Sequence, residues 1–183
     1  FRSILIGTIP IILFGGAIKL FIPYFFDKFL RSNLSIALVS LIMAILMYFA
    51  DISIKGSKSL INHNYSDVFL IGFSQSFAII PGVSRSGITI STALISGWAR
   101  SDAAKFSFLL GMPAISIAAI VEFISSFNEF SSFSFFPLIV GLITTFLSSL
   151  LAIDFLLKYI SSKGLKLFIV YRVIFGVVIL LNL

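Results

Sequence analysis

Pro81-Gly82-Val83-Ser84-Arg85-Ser86-Gly87 interrupts an apolar region and puts an arginine where hydrocarbon is expected. A guanidinium at bilayer depth costs at least about 2.5–3.5 kcal/mol on insertion scales, so it faces a watered cavity or a partner and marks a functional position. The proline and the glycines break a helix here, and serines flank the charge. The rest of the chain sets the depth. Of its 183 residues 59% are hydrophobic and only 11% charged, against about 25% charged in a soluble domain. Mean hydropathy is +1.16. The chain reads as an all-α polytopic membrane protein with one transmembrane domain over residues 1–183, because no polar stretch is long enough to fold apart.

On either side of the motif, residues 68–80 and 88–99 form apolar runs. Each is too short to cross a core of about 30 Å at about 1.5 Å per residue. Joined by the Pro/Gly/Ser-rich link, they predict a re-entrant helix-turn-helix over about 68–99, allowed at depth where irregular backbone is buried in protein or lines a cavity. One continuous helix kinked at Pro81 is the alternative. Five spans are expected elsewhere, at 4–26, 34–50, 105–123, 137–159 and 165–183, with Pro113 predicting a kink in the third. The links are a polar turn at 27–33, an aqueous loop at 52–67 with interfacial character, and shorter connections at 125–134 and 160–164.

Alternation of these spans places Arg2, Lys55, Lys58, Arg100, Lys105, Lys158, Lys163 and Lys166 on one side, and only Lys28 and Arg31 opposite. This is a positive-inside pattern, with the first side cytoplasmic and the C-terminus outside. The net charge of +6 therefore reads as topology and not as a nucleic-acid footprint, since the cations are scattered through short loops. Without cysteine there are no disulfides or thiolate metal sites. The chain opens at Phe1, almost directly into an apolar segment and without a cleavable leader, which is read as a missing beginning.

The turn itself suits a phosphate. Gly82 and Gly87 allow close backbone approach, Ser84, Ser86 and Thr89 offer hydroxyls, Arg85 offers a charged fork, and a helix opening near Ile88 and Thr89 turns its positive dipole end to the anion. The plainer alternative is a helix break whose arginine is paired with a carboxylate or with carbonyls. Gln75, with Ser74 and Ser76, can present a polar face to the same cavity, although such residues more often glue helices together. Lys19 can snorkel, and Arg172 is read as bracing the bundle. His63 lacks a second ligand at metal spacing, and Trp98 is read as an interfacial anchor. The Gly-Lys-Ser/Thr ending of a P-loop is absent, and Ser91 stands where a type-2 phosphatidic-acid-phosphatase motif would carry histidine.

Taken together, Ile71-Gly72-Phe73-Ser74-Gln75-Ser76-Phe77-Ala78-Ile79-Ile80-Pro81-Gly82-Val83-Ser84-Arg85-Ser86-Gly87-Ile88-Thr89 resembles the second signature of the bacterial undecaprenyl-diphosphatase (bacitracin-resistance) family. Gly7-Thr8-Ile9-Pro10, Ala103-Ala104-Lys105-Phe106-Ser107-Phe108-Leu109-Leu110-Gly111-Met112-Pro113 and Tyr171-Arg172 resemble that family in matching order. The resemblance implies an enzyme of the bacterial cytoplasmic membrane that removes the terminal phosphate of undecaprenyl diphosphate, recycles the carrier for peptidoglycan synthesis and confers bacitracin resistance. It also implies two inverted repeats, each with a re-entrant pair, of which this chain would be the C-terminal part. By position Arg85 would grip the diphosphate, Ser84 and Ser86 would orient it or one would attack it, and Thr89 and Gln75 would line the pocket.

Family members begin with another region, whose glutamate-rich motif is thought to supply acid/base and metal-binding groups, and no segment here matches it. The expectation is therefore a divalent cation, Mg²⁺ or Ca²⁺, with its ligands in a missing N-terminal part and none in this chain. The implied partners are a prenyl diphosphate lipid and the surrounding membrane lipids, with a homodimer left open. A membrane transporter or lipid flippase with a re-entrant anion-binding loop is the competing function, and a noncatalytic membrane subunit is a third.

Overall fold

The computed structural model describes residues 2–21, 30–53, 56–125 and 135–183, apart from the side chains of 18–20 and 135. Helices form where the sequence runs apolar, because a backbone in hydrocarbon can satisfy its N–H and C=O groups only within its own segment. In chain order they are α1 (Arg2–Phe21), α2 (Asn33–Ile52), α3 (Tyr65–Ser76), α4 (Arg85–Ile95), α5 (Arg100–Ser125), α6 (Phe135–Lys163) and α7 (Lys166–Leu181), with a 3₁₀ turn at Phe77–Ile79. This is the all-α membrane architecture expected from composition. By length and composition α2, α5 and α6 can each cross a membrane. α1 has 20 residues. α7 has 16, so it rises only about 24 Å against a core of about 30 Å.

The apolar surface points the same way. None of the most apolar stretch of α6 is buried, and Phe146, Leu147 and Leu151 stand exposed along it. In water such a face would aggregate, whereas in a bilayer it meets lipid.

α3 and α4 are 12 and 11 residues long, and their outer ends come back together. Lys58 N–H donates to the Gly97 carbonyl (3.1 Å) and Ala99 N–H donates to the Lys58 carbonyl (2.9 Å). Lys58 Nζ also pairs with Asp67 at 2.7 Å, on the first turn of α3. The segment thus enters and leaves on one face, as a re-entrant hairpin and not as one kinked helix. Trp98 closes its base. Contrary to the expected interfacial anchor, Trp98 is fully buried, with ring centroids of His63 and Phe106 each 5.1 Å away. His63 is a structural residue here: Ser3 Oγ donates to Nε2 (3.0 Å), with Nδ1 assigned as donor to the Ser59 carbonyl (3.2 Å).

The same face collects the other helix ends. Arg100, opening α5, pairs with Asp51 in the last turn of α2 at 2.8 Å and donates to its carbonyl as well. Gly164 abuts the Asp51 carboxylate, and its φ of +73° makes the reversal between α6 and α7. The link expected at 160–164 is therefore almost entirely helix, since α6 runs on to Lys163 and a single glycine supplies the turn. Arg2, Lys58, Arg100, Lys163 and Lys166 share this side, in agreement with the charge pattern. The end of the first span, most of the turn at 27–33, Lys55 and the link at 125–134 lie outside the described residues.

Met47, Ile71, Ile90, Leu94, Phe106 and Leu110 form the centre of the buried cluster, with the hairpin between α2 and α5. α1 lies across α3 where two glycines meet. A β-carbon on Gly72 would collide with the backbone of Gly7, so the helices approach as closely as small residues permit. Gly72→Ala should therefore lower the thermal midpoint in detergent, at a cost of about 1–3 kcal/mol for forcing the helices apart. Gly141→Ala on α6, where no atom lies within 4 Å of the added carbon, should leave the midpoint unchanged or slightly raised.

Candidate active site

Pro81 and Gly82 end the first half of the hairpin. Ile80 N–H bonds to the Phe77 carbonyl (3.0 Å) and Val83 N–H to the Ile80 carbonyl (3.2 Å), so the chain turns within two tight loops. Gly82 adopts φ +95°, a conformation open to glycine at little cost. Its bare α-carbon also abuts the Ile36 carbonyl and Val39 of α2, roughly 20 Å along that helix from Asp51 at about 1.5 Å per residue. The freed Gly82 carbonyl accepts a 2.8 Å hydrogen bond from Arg172 Nη1 on α7. Arg172 thus braces the hairpin, as read from sequence, and it does more.

Ser84 is the N-cap of α4, and its Oγ accepts from Gly87 N–H at 3.2 Å. It holds φ +62° and ψ +110°, the one positive-φ residue other than glycine among the described residues. A side chain in that region costs on the order of 1–3 kcal/mol and persists only where its surroundings over-determine it. Here both the cap and the glycine turn enforce it. Ser84, Ser86, Gly87 and Arg172 line one cavity of about 180 Å³, whose remaining wall includes Met47, Phe108 and Phe168. Ser84, Gly82 and Arg172 line an adjoining one of about 230 Å³ with Ser40 and Tyr171.

Arg85 turns the other way. The sequence placed its fork above the serines, but the guanidinium lies against Gly111 of α5, where a β-carbon would coincide with it, and it lines neither cavity. The reason is registry: as the first residue of α4, Arg85 shares with Thr89 the helix face that packs on α5. Nη1 is buried without a hydrogen-bond partner. Among the described residues no ion pair includes Arg85. Among the described residues the paired-arginine alternative does not form.

Thr89 and Gln75 do not line the cavities either. Thr89 is fully buried, and its Oγ1 bonds to the Arg85 carbonyl (2.9 Å), the Ser86 carbonyl (3.3 Å) and Ser107 Oγ (2.6 Å). Gln75, in the last turn of α3, is fully buried with both Oε1 and Nε2 unpartnered, as is Ser76 Oγ beside it. An unsatisfied amide inside a protein costs about 1–3 kcal/mol, and Gln75 carries that cost among the described residues.

The donors at the tip are hydroxyls, an amide and guanidinium groups. Mg²⁺ and Ca²⁺ need carboxylate or carbonyl oxygens, so the tip does not fit a divalent cation. Among the described residues no cluster of His, Asp and Glu is positioned to hold a metal. Asp51, Asp67 and Asp154 are paired with Arg100, Lys58 and Lys158. Asp27 and Glu129 lie outside the described residues. Sequence reasoning gave Ser107 and Gly111 no role of their own, although two small residues four apart on one helix face signal a close approach by something else.

A helical membrane protein whose polar chemistry is gathered on one broken hairpin, with two cations flanking the break, is the class that this geometry defines. The family model for bacitracin resistance protein BacA matches residues 1–178. An undecaprenyl-diphosphatase of Prochlorococcus marinus (strain MIT 9312) is 81% identical over 182 residues, covering 100% of this chain and 68% of that relative. The undecaprenyl-diphosphatase of strain AS9601 is 78% identical, covering 100% and 66%. That of Synechococcus sp. (strain CC9311) is 45% identical, covering 97% and 63%. The chain belongs to the bacitracin resistance protein BacA family, and it spans about two thirds of the length of these relatives.

The strained cap at Ser84 yields a test that separates its structural part from its chemistry. Ser84→Ala keeps the positive φ and loses the cap, so it should destabilise the protein by about 1 kcal/mol. Ser84→Gly gives up the same hydrogen bond but relieves the backbone, and its thermal midpoint should match or exceed that of the parent.

Proposed function

We propose that this chain hydrolyses undecaprenyl diphosphate to undecaprenyl phosphate and inorganic phosphate in the bacterial cytoplasmic membrane, recycling the lipid carrier for peptidoglycan synthesis and so conferring bacitracin resistance. The names of its relatives support a phosphatase, and nothing in them favours the transporter or flippase. The observation that carries the reading is the arginine at the hairpin tip, half-buried yet unneutralised, with Nη1 unpartnered. A charge left unpaired at that depth is costly unless an anion arrives to meet it.

Hydrolysis adds one water and breaks the bond between the terminal phosphorus and the bridging oxygen, which leaves as an oxygen of undecaprenyl phosphate. Negative charge shifts onto that oxygen as the bond breaks, so fixed positive groups beside it lower the barrier. In this reading the N-terminal end of α4 and Arg172 supply them on the cavity side of the turn, and Arg85, which lines neither cavity, meets the diphosphate from the α5 side. Ser84 accepts from Gly87 and keeps its hydroxyl proton free to donate to a phosphate oxygen, and Ser86 lies beside it on the cavity wall. Gly82 and Gly87 border the cavities and pack the tip closely on α2, while Gln75 and Thr89 support the hairpin behind it. The apolar wall formed by Met47, Phe108 and Phe168 suits the first isoprene units, and the rest of the tail can lie in lipid. A divalent cation, proposed from the family resemblance, would draw its ligands from outside the described residues.

Arg85→Ala, made in the complete protein, should lower phosphate release from a prenyl diphosphate by roughly 10²- to 10³-fold, with the protein inserting normally in the membrane. Arg85→Lys should retain part of the rate, since an ammonium keeps the charge and loses the fork. Undiminished turnover in Arg85→Ala would refute the role. Transbilayer movement of the lipid without release of phosphate would return the reading to a carrier.

A further inference from the structure

Arg85 has no hydrogen bond or ion pair among the described residues to aim it. A guanidinium at the end of a flexible stem would then be free to rotate, and an unaimed charge contributes little to a barrier. What holds the fork is the shape of α5. The three atoms nearest to a β-carbon built on Gly111 are Nη1, Cζ and Nη2 of Arg85, and Nη1 would coincide with it. The bare α-carbon of Gly111 is therefore the floor on which the fork rests.

A second contact sets the register of that floor. Thr89 Oγ1 donates to the Arg85 carbonyl (2.9 Å), so its lone pairs remain for Ser107 Oγ, 2.6 Å away. Both groups are fully buried. The two helices thus meet in two rungs, Arg85 on Gly111 and Thr89 on Ser107, each four residues apart, one turn on either helix.

We infer that Gly111, set in register by the Ser107–Thr89 hydrogen bond, is a positioning residue that holds the Arg85 guanidinium on the α5 side of the tip, where the diphosphate would meet it. The inference rests on the phosphatase reading above. It makes a prediction opposite to the one helix propensity makes alone. Alanine is the better helix former, and the atoms in the way belong to the far end of a flexible side chain and not to backbone. A methyl group at 111 should leave the fold as stable as before and push only the fork aside.

In the complete protein Gly111→Ala should lower kcat for phosphate release by roughly 10²-fold, with KM little changed and the thermal midpoint equal or higher. In an Arg85→Lys background, where no fork occupies the floor, the same substitution should cost less than about threefold, the non-additivity expected of residues acting through one another. Ser107→Ala adds no atoms and cannot overpack; it should lower kcat less, and again only while Arg85 is present. Unchanged kcat in both variants would overturn the inference, and so would a loss from Gly111→Ala that is equally large in the parent and in the Arg85→Lys background. A silent Gly111→Ala beside an inactive Arg85→Ala sinks the socket alone, whereas full turnover in Arg85→Ala sinks the phosphatase role and the socket with it.

Discussion

A helix that stops inside a membrane strands carbonyls and amides that hydrocarbon cannot satisfy, and the tip of the α3–α4 hairpin is organised around that demand. The Gly82 carbonyl is taken by Arg172 from α7, the Gly87 amide by Ser84, and the Val83 amide by the Ile80 carbonyl. Each partner is a group that the break itself, or a neighbouring helix, brings to the right depth. The positive φ at Ser84 follows from the same geometry, because the chain must reverse and begin a new helix within a few residues.

Two arginines meet at this break and do different things. Arg172 is tied by one nitrogen to the tip and faces the cavities beside Ser84. The Arg85 guanidinium has no hydrogen bond or ion pair among the described residues and rests on a glycine. A hydrogen-bonded cation stabilises the fold, and an unbonded one is available to an incoming charge. The base of the hairpin carries the compensating stability: Lys58 with Asp67, Arg100 with Asp51, and Trp98 packed against His63 and Phe106. Both pairs are partly exposed, Lys58 at 35% and Arg100 at 33%, so each adds little unless further hydrogen bonds complete it. Arg100 has one, to the Asp51 carbonyl.

Much of this was legible beforehand, for particular reasons. Two apolar runs too short to cross, joined by Pro81 and Gly82, favoured a return to the side they came from over one helix kinked at the proline. The distribution of lysine and arginine adds the expectation that this side is cytoplasmic. Trp98 was misread because tryptophan has two common homes in a membrane protein, the interface and the interior, and composition does not distinguish them. The end of α6 was misplaced because Lys163 and the serines before it look like a loop, whereas Gly164 alone makes the turn.

The sequence by itself determined the class of the protein, the break in the helix and the chemical groups gathered at it, because hydropathy and the conformational limits of proline and glycine act locally. Which way those groups face was decided only by tertiary packing. Arg85 and Thr89 turn to α5, Ser84 and Ser86 to the cavity, and Arg172 reaches Gly82 from a helix 90 residues away. The direction of a side chain depends on which neighbour leaves room for it. Room is a property of two helices together and is written in neither one alone.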